Sequence, residues 1–266
     1  MSSTKRISVA FSGSGFLAPL HVGAACAFLD SGYAFESVAG TSGGSMVAAL
    51  VASGKTSAEL SDLIQKIDFS KFLTVNLGSL LWNRSGYSNG MALFNFMDDV
   101  LLGARFKDMR IPLAIVATDL EKSKPFLFSQ SRSPNTSVAL ACKASSAVPF
   151  VYDSVKHQGA VLVDGGLVNN IPLRYLKGKA LKVGISVEDS STNKIKGPIS
   201  TAQAVITTLL SSNEGTQELV AKNEGASIIS VSGGDVWFLD ASLTEKQKTS
   251  LFQEGYSQVM KWLETR

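Results

Sequence analysis

Apolar positions recur along the chain in two alternating rhythms. Ile7-Ser8-Val9-Ala10-Phe11 has the spacing of a strand, and Leu20 to Leu29 the spacing of a helix. Pro19 suits the first turn of that helix and Gly32 its stop. A second strand, Ser37-Val38-Ala39, leads through a glycine turn into the small-residue helix Ser45 to Ala52. Thr56-Ser57-Ala58-Glu59 is a capping box that opens a helix to about Ile67. Residues 72–88 are apolar but aperiodic, and read as a loop or lid-like region. A helix follows from about Asn89 to Leu102 and stops at Gly103.

Leu113 to Ala117 is a continuous apolar strand suited to burial on both faces. Phe126-Leu127-Phe128 is another. Ser137 to Ala147 reads as a helix halted by Pro149. Strands near Tyr152–Val155 and Ala160–Val163 flank Lys156-His157-Gln158-Gly159 as a hairpin, which places His157 at an exposed tip. Leu181 to Val187 is a strand, residues 189–199 a polar linker, and Thr201 to Ala221 a long helix. Ser227–Val231 is a strand. The last helix opens at Thr244-Glu245-Lys246-Gln247 and puts Leu251, Phe252, Tyr256, Val259 and Leu263 on one face. This alternation predicts an α/β fold, a three-layer sandwich around a central, largely parallel sheet.

Candidate chemistry concentrates in three short blocks. Gly40-Thr41-Ser42-Gly43-Gly44 lies between strand and helix, where a nucleophile elbow needs to be. A bare Gly-x-Ser-x-Gly is also an ordinary turn, and the context is what raises it. Ser12-Gly13-Ser14-Gly15 is a glycine-rich strand-to-helix turn that can aim backbone N–H groups at one point. It fits an oxyanion hole made by Gly13, Ser14 and Gly15, and also a phosphate cradle. Ala18 holds the place of the third Rossmann glycine, and no Gly-Lys-Ser/Thr follows.

A serine nucleophile needs a base. A Ser…Asp…His order through His157 can be drawn, but only one strand and one helix precede Ser42, too few for the α/β-hydrolase order. His21 falls in the helix after the glycine turn, where it packs, caps or lines the site. Asp164 stands at the end of an apolar strand, before Gly165 and Gly166, where sheet proteins place functional groups. The other role for such a residue is an Asx turn or a helix cap.

Composition narrows the classes. The chain has 266 residues, 45% hydrophobic and 18% charged, ample for a buried core. A net charge of +3 without a dense basic run argues against nucleic acid. Cys26 and Cys142 read as buried free thiols, and two histidines without a Cys/His cluster predict no metal site. Neither a secretory signal nor an apolar run of about 18 residues stands out, so a cytoplasmic location, or delivery without a Sec signal, with peripheral lipid contact is expected.

The three blocks together, in this order, resemble the patatin-like phospholipases. Arg110 to Leu120 resembles that family's central strand, Ala144 to Pro149 its helix before the hairpin, and Gly86-Tyr87-Ser88-Asn89-Gly90 a loop before its mid-chain helix. The likeness covers roughly residues 6–178 of one domain spanning 1–266. Residues 190–266 are expected to complete that domain with a strand and helices.

The resemblance implies a lipid acyl hydrolase with a Ser42–Asp164 dyad, no histidine, no metal and no cofactor, and a lipid or membrane-surface substrate. Alternatives within the same fold are a lipid-binding or signalling module and an acyltransferase. One departure stands out. Ser14, Leu17 and Ala18 replace a glycine, a basic residue and a glycine of the family's usual pattern, which leaves phospholipid head-group preference open. Leu80-Leu81-Trp82 and Val236-Trp237-Phe238-Leu239 are apolar clusters that fit core packing, or bilayer contact if exposed.

Overall fold

A computed structural model describes residues 5–73, 86–188 and 225–266, with positions 204, 205, 208, 221 and 223 between them. Of the loop expected at 72–88, residues 74–85, with Leu80-Leu81-Trp82, lie outside the described residues, while its first two residues end the 3-10 turn Phe69–Leu73 and its last three form a strand, Gly86–Ser88. The 189–199 linker and most of the 201–221 helix also lie outside the described residues.

Strands β1 (Lys5–Phe11), β2 (Tyr33–Thr41) and β4 (Leu113–Asp119) form the centre of the sheet, with β9 (Leu181–Glu188) and β10 (Ser227–Ser232) beyond β1. All of these neighbours pair in parallel. Against β4 lie β5 (Lys124–Ser129) and β8 (Ala160–Val163), both antiparallel, and β7 (Val155–His157) closes a hairpin with β8. A separate two-stranded sheet joins β3 (Gly86–Ser88) to β6 (Phe150–Tyr152). The fold is therefore α/β around a largely parallel sheet, as the alternation of patterns predicts.

The register explains how the sheet assembles a site. β2 covers β4 only as far as Thr41 opposite Val116. β5 occupies the other edge of β4 from Ala114 to Asp119. β8, whose Val163 lies opposite Thr118, must therefore take the edge that β2 has vacated. The C-terminal ends of β2 and β8 thus run head to head towards Ala117. Ser42 follows one strand and Asp164 the other.

Side chains alternate across the sheet with period two. Ile7, Val9, Phe11, Val38, Leu113, Ile115 and Ala117 face the large core. That core also takes buried residues from helices α1 (Ala18–Asp30), α2 (Gly43–Ala52), α3 (Ser57–Lys66), α4 (Met91–Val100), α5 (Val138–Ser145) and α6 (Glu245–Glu264). Capping boxes start α3 at Thr56 and α6 at Thr244. Lys248 of α6 is buried, and its ammonium donates to the carbonyls of Gln65 and Ile67 at the end of α3. A cation there meets the negative end of the helix.

The opposite face is built differently. Gly184, Ala10, Ala39, Ala114 and Ser129 lie side by side across five strands. Such a shallow surface lets a non-helical segment lie close. Ile171, Leu173 and Leu176 cover it, the last two in and just after the 3-10 turn Leu173–Tyr175.

The hairpin departs from expectation. Its turn is Gln158-Gly159, with φ of 49° and 77°, the mirror-image two-residue geometry that suits strand twist. His157 is therefore a strand residue and not a loop tip. It packs on Phe126 and Phe128 with ring centroids at 6.0 and 5.4 Å. The segment read as one strand at 152–155 is also split. Its first part pairs with β3, and only Val155 onward pairs with β8.

Candidate active site

Ser42 sits between β2 and α2 with φ 50° and ψ −128°, a left-handed conformation that side-chain-bearing residues rarely adopt. Three contacts hold it there. Its N–H donates to Ser145 Oγ at 2.8 Å, and that hydroxyl donates to Val116 O at 2.5 Å. Ser45 donates to Ser42 O through both its N–H, at 2.8 Å, and its Oγ, at 2.6 Å. Gly40 and Gly44 are required by close packing. A Cβ on Gly40 would strike the Gly44 carbonyl, and one on Gly44 would strike the carbonyls of Phe11 and Ser12. The glycines press the elbow against the turn that follows β1.

That turn is fixed from several sides. Gly13 N–H is shared between the backbone oxygen of Asn170, at 3.3 Å, and its Oδ1, at 3.0 Å. A Cβ on Gly13 would lie 2.6 Å from Asn170 Oδ1 and 3.6 Å from Ser42 Cβ, so the turn faces the serine directly. Gly15 has φ +53°, and Phe16 N–H donates to Phe238 O at 2.7 Å. The amide of Gly13 is thus engaged. Those of Ser14 and Gly15 have no partner among the described residues, and the first amides of α2 are the open donors every helix start leaves.

His21 braces the same turn from below. Its Nε2 is 2.8 Å from Ser12 O, and since a carbonyl only accepts, Nε2 carries the hydrogen. The ring packs edge-on against Phe11 and is fully buried. Desolvation pushes its pKa down to about 4, against an opposing pull from the Ser12 bond, so it is neutral at pH 7.

Asp164 comes from the other strand end. Its N–H donates to Ala147 O at 2.9 Å, and its carbonyl accepts from Thr118 Oγ1 at 2.7 Å. Gly165 must be glycine because a Cβ would strike Val116 O, and Gly166 N–H donates to Asp164 Oδ1 at 2.8 Å. The carboxyl is 1% exposed, and its Oδ2 has no completed hydrogen bond. The Ser42 hydroxyl is nevertheless near enough to stabilise the charged form. The two facts fit a hydroxyl that faces the carboxyl without closing on it.

Burial dominates the electrostatics and raises the Asp164 pKa to about 6, partly opposed by Ser42 and then by Gly166. A carboxylate with that pKa is still mostly ionised at pH 7 and is a far better base than an exposed one. Ser42 and Asp164 are thus brought together. His157 is not, since it starts a hairpin whose second strand must run from Ala160 to Val163 before reaching Asp164, about 13 Å at strand rise.

No local pattern marks the role of several of these residues. Ser145, Asn170 and Thr118 act through side-chain bonds to backbone atoms distant in sequence, and His21 through one to Ser12, nine positions away. Leu17 is fully buried, with its Cδ1 2.7 Å from where a Cβ on Gly233 would be. The position where the family usually has a cation is therefore core. Val236-Trp237-Phe238-Leu239 is core as well. Phe238 and Leu239 are buried, and Val236 and Trp237 pack against the same cluster.

An α/β sheet thus carries a strained serine after β2, a buried carboxyl after β8 and a turn with open amides after β1, the groups a serine nucleophile would need. The model of the patatin-like phospholipase family matches residues 9–177, and the chain belongs to that family. An uncharacterized protein, YqhO of Bacillus subtilis, is 27% identical over 92% of this chain and 94% of its own length. A probable lipid hydrolase, 463L of invertebrate iridescent virus 6, is 23% identical over half of each chain. The crystal structure of VipD from Legionella pneumophila superposes with a TM-score of 0.67 at 15% identity, covering 98% of this chain and 67% of that one. Among the described residues, no helix is long and apolar enough to cross a membrane.

Proposed function

We propose that the protein hydrolyses acyl esters of lipids through a Ser42–Asp164 dyad and an acyl-enzyme. The observation that carries this reading is the buried, unpartnered Oδ2 of Asp164 beside a serine held at positive φ. Ser42 Oγ attacks the ester carbonyl and its proton passes to Asp164 Oδ2. The amides of Ser14 and Gly15, backed by the start of α2, receive the charge that forms on the carbonyl oxygen. Collapse expels the alcohol, which takes the proton from Asp164, and leaves the acyl group on Ser42. Water then gives a proton to Asp164, attacks the acyl carbon and releases the fatty acid as Ser42 recovers its proton.

The buried Leu17 leaves no cation at that place to select a phosphate, so the reading extends to neutral as well as phosphorylated head groups. For contact with a lipid surface we favour Tyr87, Met91 and Phe150. They are exposed at 52%, 39% and 57% around the small β3–β6 sheet. Phe150 also has φ +67°.

The test is lipid mass spectrometry of a mixed extract incubated with wild type and with Ser42→Ala, alongside labelling by a fluorophosphonate. Free fatty acid released only by the wild type, with labelling lost in the variant, is the expected result. Equal labelling of Ser42→Ala would end the proposal.

A further inference from the structure

We infer a second ligand site, for a single-chain anionic amphiphile, at the end of the sheet opposite Ser42. A cavity of about 420 Å³ opens at the start of β4, between the β4–β5 hairpin and the segment that follows the Leu173–Tyr175 turn. Its volume lies within the range of small-molecule sites, roughly 300–1,000 Å³. It exists because the row of small side chains ends there. Ala114 and Ser129 face it where larger residues would fill it, and Leu127 forms an apolar wall.

The frame is rigid. Gln130 Oε1 accepts from Leu113 N–H at 2.9 Å, and its Nε2 donates to Ile111 O at 2.8 Å. The backbone of Lys177 is tied at both polar atoms. Its N–H donates to Ser37 Oγ at 2.9 Å, and its carbonyl accepts from Ser37 and Ser8 at 2.7 and 3.2 Å.

Charge sets the ligand class. Arg110, Arg132 and Lys177 stand at the rim, all exposed, and no acidic side chain lines the cavity among the described residues. None of the three forms an ion pair with a described residue. The Arg110 guanidinium lies against Gly54 and adds the smallest of the influences that hold the Glu59 carboxyl low, after the Thr56 backbone and hydroxyl, so Arg132 and Lys177 are the cations free to meet a ligand. Arginine and lysine on one side and an aliphatic wall on the other match a carboxylate or phosphate head on one hydrocarbon tail. The inference goes beyond the proposed ester hydrolysis and does not depend on Ser42.

Isothermal titration with laurate, monododecyl phosphate, dodecanol and inorganic phosphate, below micelle-forming concentrations, tests it. We expect at least one of the two charged amphiphiles to bind once per chain. Dodecanol and inorganic phosphate are expected to bind at least tenfold more weakly, and salt to weaken the charged ligand. The tighter of the two heads names the source. In Arg132→Gln/Lys177→Gln, both surface changes, affinity falls at least tenfold, while the control Lys66→Gln leaves it unaltered. Laurate binding that is insensitive to the rim pair, as binding at the catalytic end would be, overturns the inference. So does dodecanol binding as tightly as both charged forms.

Discussion

At the C-terminal end of β4, a hydroxyl and a carboxyl meet in a setting almost without water, Ser42 at 6% and Asp164 at 1% exposure. At the other end of the same strand, about 10 Å from Ala117 at Ala114, basic residues line an open cavity. One end withholds solvent from a group that would be better hydrated, and so raises its basicity. The other leaves its charges in water, where they can recruit a ligand but do little chemistry. The difference follows from what covers the strand ends. Glycines let β1, β2, β8 and their turns close tightly around the first, whereas at the second small side chains leave a hollow that no described element fills.

The largest expected effects come from the buried end. Asp164→Asn keeps an oxygen for Gly166 N–H but cannot take the Ser42 proton. Turnover should fall by about 10⁴ or more, as for removal of the base or nucleophile in serine hydrolases. Burst kinetics with an activated ester would measure it, with circular dichroism confirming the fold. Residual activity within tenfold of wild type would show that Asp164 only caps a turn.

The same substitution should stabilise the protein. The folded pKa of about 6 lies above the ordinary value of 3.8, so the native state binds the proton more tightly than the unfolded one. Stability from this group is therefore greatest below pH 3.8, declines as pH rises between 3.8 and about 6, and stays low above that. The cost at pH 7 is of the order of 3 kcal/mol. Asp164→Asn should melt several degrees higher than wild type at pH 7.5, an advantage that shrinks towards pH 4. For wild type, kcat/KM should rise with pH through about 6 and then level, since the base must be ionised. A pH-independent rate between 5 and 7 would contradict a carboxylate base.

Gly44→Ala tests the closure itself. Its methyl would meet two backbone carbonyls that cannot swing away, so overpacking should cost about 3 kcal/mol and much of the activity. Full activity with an unchanged melting curve would mean that the elbow and the glycine turn are not in tight contact.

The sequence carried the outline of this site unevenly. Ser42, Asp164 and the Gly13–Gly15 turn were legible because each needs a residue type that leaves a local mark, a small neighbour or a turn former. Their supports were not. Ser145 reaches Ser42 across 103 positions and Asn170 reaches Gly13 across 157, each through one bond to a main-chain atom, and no local pattern encodes such a partner. The same holds for Phe238, whose carbonyl ties the C-terminal region to the glycine turn. The longer strands were legible, but their ends were not, and β3 fell inside a segment read as a loop. β3 and β6 have three residues each, too few to show a period, and Gln158 at positive φ narrows the hairpin turn read over 156–159 to two residues.

His21 gives a smaller effect. Its Nε2–H is the partner of Ser12 O, and losing it leaves a buried carbonyl unmet at a cost of about 1–3 kcal/mol. His21→Leu should lower kcat by about tenfold with KM little changed, since the bond orients the donors and not the substrate. His21→Gln, which keeps a donor, should recover part of it. A matching fall in kcat/KM and melting temperature with no recovery by glutamine would reduce His21 to a packing residue.

His157→Ala should change turnover least. The imidazole packs against both Phe126 and Phe128, at the hairpin end remote from Asp164, and desolvation lowers its pKa. Removing it trims an aromatic cluster, so a modest drop in melting temperature is expected, with kcat within about threefold of wild type, far from the roughly 10⁴ that a triad member commands. The two histidines thus separate bracing from bystanding. Both are neutral and packed on phenylalanine, but only His21 holds a peptide that faces Ser42. A collapse of activity in His157→Ala would mean that the hairpin folds back over the dyad during turnover. The contrast between a closed reactive end and an open recruiting end would then have to be redrawn.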